Sequence, residues 1–184
     1  MLLLAAIAVR ASSPGEVVFR QRRIGRGGVP FTILKFRTMV KDAPRSPLGS
    51  YCYADDPRIT PAGRWLRRTS LDELPQLVNV LLGEMSFVGP RPDLPHHVER
   101  YTPAQRARLA VRPGITGWAQ VSGRNGLSWD ERIALDLEYL DGWWLGRDLR
   151  VLWRTVGVVL SRRGASLPRT LGTAGTTDGS TGRK

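Results

Sequence analysis

The chain has 184 residues, with 28 Lys and Arg against 16 Asp and Glu, so its formal net charge is +12. This length predicts one domain with a buried core, and a hydrophobic content of 41% excludes a polytopic membrane protein. The single cysteine, Cys52, excludes an intrachain disulfide. The positive charge predicts an acidic partner, which is nucleic acid, nucleotide phosphates or an anionic membrane surface.

The first nine residues form an apolar run that ends at Arg10. The run is shorter than the roughly 20 residues that cross a bilayer. It also lacks the basic start and the cleavage site of a signal peptide. Two interpretations remain: a buried helix, or one limb of a segment that dips into a membrane without crossing it.

A β-hairpin is predicted by two apolar stretches, residues 17–19 and 31–36, which flank the glycines of residues 25–28. These glycines suit a turn that requires positive φ, or backbone N–H groups that face a phosphate. The hairpin carries more basic residues than a turn requires, and we expect most to be solvated and one or two to reach an anion. They are Arg20, Arg22, Arg23, Arg26, Lys35 and Arg37.

Residues 40–61 are rich in Pro, Ser, Gly and Asp, which predicts a surface loop. Asp55 and Asp56 precede Pro57, and this order favours a turn over a metal site. A short helix around Trp65 is expected to follow the loop.

The next helix is defined by five apolar residues at helical spacing and by a glycine that ends the pattern. The apolar residues are Leu74, Leu77, Val78, Leu81 and Leu82, and the glycine is Gly83. Because proline is tolerated only in a first helical turn, Pro75 places the helix start within a few residues of Asp72. Ser70 and Glu73 have the spacing of a capping box. The pair Asp72 and Glu73 is therefore either a helix cap or a catalytic and metal-binding pair.

Arg91 lies between Pro90 and Pro92. Proline restricts the backbone on both sides, so this arginine is placed either for a bidentate phosphate contact or within a stiff connector. His96 and His97 are predicted to be surface or hydrogen-bonded histidines, because no second Cys or His cluster follows at zinc-like spacing.

The C-terminal half predicts a short helix after Thr102, a glycine-spaced loop over residues 115–126, and two further helices. The loop contains residues that can stack on a base and bond its edges: Trp118, Gln120, Arg124 and Asn125. Ser128 and Glu131 form a second capping box. The last helix has a basic side and a Trp-bearing apolar side, which suits a membrane interface or core packing.

Five blocks of sequence, in this order, resemble the bacterial sugar transferase family of monotopic polyprenyl-phosphate phosphoglycosyl transferases. The blocks are residues 17–25, 35–39, 60–92, 112–125, and 135–139 with the following helix. The pattern S-x-D-E-L-P-Q followed by F-V-G-P-R-P is the family's signature. The expected fold is α+β: a helix-dominated single domain with a small β-hairpin near the N-terminus and interfacial amphipathic helices. Its expected parts are a membrane-helix remnant (1–11), a catalytic domain (12–164) and a disordered tail (165–184).

The resemblance implies a two-step transfer at the cytoplasmic face of the bacterial membrane. The Asp72 carboxylate attacks a UDP-sugar and expels UMP, and a polyprenyl (undecaprenyl) phosphate then attacks the phosphosugar-aspartyl enzyme. This is the first membrane step of exopolysaccharide or glycoconjugate assembly. Glu73, with Asp72, would bind Mg²⁺. The basic residues that match the family's motifs are assigned to phosphate or nucleotide: Arg67, Arg91, Arg124, Lys35 and Arg37.

One departure from the family concerns the N-terminus. The family begins with a re-entrant membrane helix, of which residues 1–10 correspond only to the limb that runs into the catalytic domain, so the expected chain is shortened or starts upstream. Two other hypotheses stay open: a catalytically silent family member, and a non-enzymatic basic module that binds RNA or anionic membrane. The acidic pair and the absence of an RNA-binding motif argue against the basic module and predict no nucleic-acid partner. The sugar stays open, although the GRN-x-x-SW form of residues 123–129 resembles members that use N-acetylated amino sugars.

Overall fold

The computed structural model describes residues 2–41, 43, 56–123 and 126–161. The predicted tail, Cys52, Asp55, Arg124 and most of the predicted surface loop lie outside these ranges. The helices are α1 (Leu2–Ser12), α2 (Pro61–Thr69), α3 (Gln76–Leu81), α4 (Pro95–Val98), α5 (Trp118–Ser122), α6 (Trp129–Asp141) and α7 (Leu145–Ser161). The strands are β1 (Val18–Ile24), β2 (Pro30–Phe36), β3 (Ser86–Val88) and β4 (Gly114–Thr116). The predicted α+β class, with its N-terminal hairpin, is confirmed.

Helix α1 forms from the apolar N-terminal run, as predicted. Its inner side, Ala5 and Val9, packs against Phe36 of β2 and Leu66 of α2. Its outer side exposes four large apolar residues: Leu2, Leu3, Leu4 and Ile7. The helix is therefore buried on one side only. None of the helices in the described ranges is long and apolar enough to span a membrane.

Strands β1 and β2 pair antiparallel, from Val18 opposite Phe36 to Ile24 opposite Pro30. Gly27 and Gly28 turn the chain between them with φ of 66° and 78°, which L-residues with a Cβ rarely adopt. The predicted hairpin is thus confirmed. It carries Lys35, near the end of β2, towards the middle of the molecule.

Helix α3 has the predicted apolar periodicity. Leu81 and Leu82 of this pattern point outward and are 86% and 68% exposed, whereas Gln76 and Asn79 are buried. Asn79 is held inside by β2, because its Oδ1 accepts from the Leu34 N–H at 3.1 Å and its Nδ2 donates to the Thr32 carbonyl at 2.8 Å. The polar side of this helix therefore faces the hairpin, because polar backbone groups of β2 bind it.

Strands β3 and β4 form a short parallel pair that leads into the segment from Gly89 to Pro92. Gly89 lies so close to the chain before β4 that a Cβ atom there would be 2.6 Å from the Arg112 carbonyl oxygen. Only glycine permits this approach. The strand pair therefore fixes where the Pro90-Arg91-Pro92 segment leaves the sheet.

The two C-terminal helices differ in how much apolar surface they bury: α6 buries Ile133 and Tyr139, whereas α7 buries only Val151 among its described residues. Helix α6 begins with the predicted capping box: Ser128 accepts from the Glu131 N–H, and Glu131 accepts from the Ser128 N–H. On α7, Val151 is fully buried. The opposite side of α7 carries an exposed stripe that we call the α7 apolar face: Leu145, Leu149, Leu152, Trp153, Val156 and Leu160. Core packing, one of the two interpretations of this helix, therefore does not account for that stripe.

Candidate active site

The two adjacent carboxylates lie in a short 3-10 helix, Leu71–Glu73, between α2 and α3. Ser70, just before them, has φ of 56° and ends α2, because its N–H donates to the Arg67 carbonyl oxygen at 3.3 Å. The Ser70 side chain makes no capping hydrogen bond. The capping box predicted for Ser70 and Glu73 is therefore wrong, since the Glu73 carboxylate binds side chains from elsewhere in the chain.

Glu73 is held by two cations from distant segments. Its Oε1 accepts from Lys35 Nζ at 2.8 Å and from Arg91 Nη2 at 2.6 Å, and Arg91 Nη1 lies 3.4 Å from Oε2. Burial opposes ionisation of Glu73, but the charges of Arg91 and Lys35 outweigh it and hold the pKa well below its usual range. Burial, with the charge of Arg91, lowers the pKa of Lys35 from its ordinary value. Glu73 is therefore anionic at any physiological pH.

Asp72 has a different environment from its neighbour. Its carboxylate has no hydrogen-bond or ion-pair partner within the described part of the chain. Burial and the adjacent charge of Glu73 raise the pKa of Asp72 to about 6, against the opposing charges of Lys35, Arg67 and Arg91. A carboxylate of this kind is ionised at neutral pH and more basic than an ordinary Asp. Its lone pairs are available to a substrate.

Arg67 lies on the α2 side of the acidic pair. It is partly buried, and its Nε donates to Thr38 Oγ1 at 2.8 Å. Its charge is one of those that lower the pKa of Asp72. The sequence resemblance assigns Arg67 to a phosphate or nucleotide contact. The structure places Arg67 close enough to Asp72 for the two charges to interact.

Two arginines outside the predicted set hold the backbone that carries Arg91. Arg23 Nη1 donates to the Pro92 carbonyl at 3.2 Å, and Arg108 Nη2 donates to the Arg91 carbonyl at 3.2 Å. Arg23 was predicted only as one of the hairpin arginines, and Arg108 was not predicted as a site residue. No local pattern identifies either one, because each partner lies far along the chain.

The donor set near Asp72 decides whether the site suits a magnesium ion. Across residues 2–41, 43, 56–123 and 126–161, no group of three or more His, Cys, Asp or Glu side chains could hold a metal ion. Mg²⁺, however, is commonly bound by one or two carboxylates together with substrate phosphates and water. Such oxygens are supplied by the Asp72 carboxylate and by Oε2 of Glu73. The described contact of this Oε2 is with Arg91 Nη1, at 3.4 Å. These residues fit a Mg²⁺ ion shared with a phosphate.

With this geometry established, comparison with known proteins assigns the family. The sequence profile of the bacterial sugar transferase family matches residues 1–162. The chain belongs to this family.

Several named proteins are similar in sequence to this bacterial sugar transferase. It is 45% identical over 164 residues to the uncharacterized sugar transferase EpsL of Bacillus subtilis, covering 89% of this chain and 79% of that protein. It is 47% identical over 171 residues to the UDP-glucose:undecaprenyl-phosphate glucose-1-phosphate transferase of Caulobacter vibrioides, covering 88% and 63%. The Escherichia coli protein of the same name is 44% identical over 164 residues, covering 85% and 35%. The chain thus spans little more than a third of the Escherichia coli relative.

In this bacterial sugar transferase the predicted basic residues fall into three groups. Lys35 and Arg91 meet at Glu73, and Arg67 lies nearby. Arg37 instead donates to the backbone carbonyls of residues 13–14, at 2.6 and 2.9 Å, and so holds the turn after α1. Arg124 lies outside the described residues, so its predicted nucleotide contact stays a prediction.

Two further residues singled out from the sequence, Trp118 and His97, contact other side chains of the protein. Trp118, proposed to stack on a base, has cation–π contacts with Arg147 and Arg154, whose guanidinium carbons lie 5.1 and 5.0 Å from its ring centroid. His97 Nδ1 lies 2.9 Å from Asp93 Oδ1, which confirms the predicted hydrogen-bonded histidine. The site that the structure assembles is therefore the acidic pair with Lys35, Arg67 and Arg91.

Proposed function

We propose that this protein transfers a sugar 1-phosphate from a UDP-sugar to a polyprenyl phosphate, with release of UMP. The observation that carries this proposal is the contrast between two adjacent carboxylates. Glu73 is held as an anion by Lys35 and Arg91, whereas Asp72 has a raised pKa and no partner in the described residues. Family membership and the names of the Caulobacter and Escherichia coli relatives support the substrate classes.

In the first step the Asp72 carboxylate attacks the β-phosphorus of the UDP-sugar. The bond from this phosphorus to the oxygen bridging the two phosphates breaks, and UMP leaves with that electron pair. The product is a phosphosugar-aspartyl enzyme. Because Asp72 is ionised at neutral pH, it attacks without a general base, and its pKa of about 6 makes it a better nucleophile than an ordinary Asp.

In the second step a phosphate oxygen of the polyprenyl phosphate attacks the same phosphorus. The acyl-phosphate bond to Asp72 breaks, and the carboxylate is regenerated. The product is a polyprenyl-diphosphate sugar. The Asp72 carboxylate therefore takes part in both steps: it is the nucleophile in the first and the leaving group in the second.

The surrounding cations address the main obstacle, which is repulsion between a carboxylate and a diphosphate. Lys35, Arg67 and Arg91 all lower the pKa of Asp72, so their fields reach the place where the phosphates would lie. Fixed cations stabilise charge that moves onto phosphate oxygens during transfer. A Mg²⁺ ion bound to Asp72 and Glu73 would neutralise non-bridging phosphate oxygens.

The exposed apolar surfaces support a membrane location, at the cytoplasmic face where UDP-sugars are made. Helices α1 and α7 expose long apolar stripes, α2 contacts both of them, and the chain carries a net charge of +12. Apolar stripes with positive charge suit an anionic bilayer surface. We place the reaction there, as the first membrane step of exopolysaccharide or glycoconjugate assembly.

The decisive experiment measures which nucleotide is released. The purified chain in detergent, with Mg²⁺, undecaprenyl phosphate and a panel of UDP-sugars, should release UMP and not UDP. Asp72→Asn should lower UMP release by at least 10³-fold, because an amide is a poor nucleophile. Asp130→Asn, an exposed residue in the first turn of α6, is the matched control and should keep full activity.

Two outcomes would contradict the proposal. Release of UDP would indicate transfer of the sugar without its phosphate, and undiminished UMP release by Asp72→Asn would exclude this residue as the nucleophile. Mass spectrometry of the wild-type enzyme quenched without lipid phosphate should find a sugar-phosphate adduct on Asp72. The sugar that gives the highest rate in the panel identifies the donor.

A further inference from the structure

Arg108 lies at the centre of a buried polar network next to the candidate active site. Its side chain is 6% exposed, and it belongs to the 3-10 helix Gln105–Ala110. Its Nη2 donates to Asp136 Oδ2 of α6 at 2.7 Å, and its Nη1 lies 3.4 Å from Asp93 Oδ2. Nη1 also donates to the Tyr101 hydroxyl. One guanidinium thus links three segments of the fold.

The same guanidinium holds the backbone of the Pro-Arg-Pro segment. Nη2 donates to the Arg91 carbonyl oxygen at 3.2 Å, so Arg108 binds the chain both at Arg91 and at Asp93. The Arg91 side chain reaches Glu73, with Nη2 at 2.6 Å from Oε1. The Arg91 side chain is 43% exposed and donates to Glu73, and where its guanidinium lies depends on the backbone that carries it.

We propose that Arg108 is a positioning residue for the sugar-phosphate transfer. It holds the backbone at Arg91 and Asp93 and ties it to α6 through Asp136, so that the Arg91 guanidinium stays against Glu73 and beside Asp72. This inference rests on the proposed function for its catalytic consequence. Its structural part, the placement of Arg91, does not depend on that function.

Arginine is suited to this role because its planar guanidinium offers donors in several fixed directions. The position requires bonds to a backbone carbonyl, to a hydroxyl and to two carboxylates at once. A lysine ammonium has three donors on a flexible stem and cannot reproduce that set of directions. Arg108→Lys keeps the buried charge opposite Asp93 and Asp136 but loses part of the hold on Arg91.

The test is a double-mutant cycle on UMP release in a single turnover. Arg108→Lys should lower the rate about 10- to 100-fold in the wild-type background, the range expected when a catalytic group is misplaced by about 1 Å. In an Arg91→Ala background the same change should lower the rate less than twofold, because the group that Arg108 positions is gone. Asp136→Asn keeps Arg108 but weakens its bond to α6, because the amide oxygen is uncharged. This variant should show the same dependence on Arg91, and it replaces Arg108→Lys if that variant does not fold.

Arg58→Lys is the matched control. Arg58 forms another buried Arg–Asp pair, with Asp56 at 2.7 Å, and also donates to the Ala43 carbonyl oxygen. This change should lower the rate by the same factor with and without Arg91. If Arg108→Lys also lowered it equally in both backgrounds, its role would be general stability and the inference would be overturned.

A second measurement separates this inference from the proposed function. In NMR spectra of the wild-type chain, the Arg91 Nε–H signal should be resolved and slow to exchange, because the guanidinium is held on Glu73. The signal should broaden or shift in Arg108→Lys and stay unchanged in Arg58→Lys. An unchanged signal in Arg108→Lys would overturn the inference. Absence of UMP release by the wild-type chain would instead overturn the proposed function.

Discussion

Two neighbouring carboxyls, Asp72 and Glu73, differ in acidity because their side chains face different groups. Glu73 reaches Lys35 of the hairpin and Arg91 of the Pro-Arg-Pro segment, and both stabilise its charge. Asp72 is partly buried without such a partner, and the anion at Glu73 raises its pKa further. Pairs of titratable groups whose environments separate their pKa values are the usual basis for assigning catalytic roles. The structure thus supports a division in which Glu73 organises cations and Asp72 reacts.

This division predicts that Asp72→Asn loses activity and gains stability. The folded pKa of Asp72, about 6, exceeds the ordinary value of 3.8, so the folded protein binds more protons than the unfolded chain between these values. Its carboxylate therefore destabilises the fold as pH rises from 4 to 6, and the loss is complete at pH 7. Removing the charge should raise the free energy of unfolding at pH 7 by about 1–2 kcal/mol, allowing for partial solvent exposure.

Thermal unfolding of the wild type and Asp72→Asn at several pH values checks this prediction. The difference in stability should be present at pH 7, should shrink as the pH falls from 6 and should be close to zero at pH 4. The control Asp130→Asn should change stability little at any of these values. A variant that is less stable than the wild type at pH 7 would show that the Asp72 charge is compensated in the fold.

Within single helices and strands, the sequence predicts those features whose interacting groups lie close together along the chain. The hairpin turn at Gly27 and Gly28 and the capping box at Ser128 form as predicted, because the interacting groups lie a few residues apart. The cap at Ser70 fails, because Lys35 and Arg91 compete for Glu73 from 38 and 18 residues away. No local sequence pattern predicts the hydrogen bonds of Arg108 either, because its partners Arg91, Asp93 and Asp136 lie 15 to 28 residues away.

The orientation of α3 is a second case in which pattern is insufficient. Periodicity shows that one side of a helix is apolar, but it does not show whether that side faces the core or another apolar medium. In α3 the polar side is buried because Asn79 forms hydrogen bonds with the backbone of β2. The resemblance to the sugar transferases predicted the roles of Asp72 and Glu73, which no local pattern distinguished from a helix cap.

This orientation predicts an inverted response to mutation on α3. Asn79→Leu, which would improve an ordinary apolar core, should lower the free energy of unfolding by about 2–4 kcal/mol, because it leaves the Leu34 N–H and the Thr32 carbonyl without their partners. Leu81→Asn, at an 86% exposed position, should change it by less than about 0.5 kcal/mol. Urea unfolding of the detergent-free chain, in which Leu81 faces water, measures both. A costly Leu81→Asn with a harmless Asn79→Leu would show that the helix is rotated.

For the whole molecule, the distribution of apolar surface is unusual for a protein that is surrounded by water. Within residues 2–41, 43, 56–123 and 126–161, four small clusters hold buried apolar residues, while large apolar side chains are exposed on α1, α3 and α7. Contiguous exposed apolar surfaces indicate interaction sites. Together with the net charge of +12, these exposed surfaces support the anionic bilayer that we propose as the partner.

The α7 apolar face should therefore control binding to lipid vesicles. Trp153, which is 80% exposed, and Leu149, on the same stripe, should enter the interface and contribute through buried apolar area. Replacing either with Ser should weaken co-sedimentation with vesicles containing phosphatidylglycerol about tenfold, which corresponds to about 1.4 kcal/mol. Val29→Ser, at a 64% exposed position of the hairpin turn, should leave binding unchanged. Raising the salt concentration should weaken binding of every variant by a similar factor, because the basic charge is the same in all of them. If Trp153→Ser and Leu149→Ser bound the vesicles as tightly as the wild type, α7 would face something other than lipid, and the membrane orientation proposed for the site would have to change.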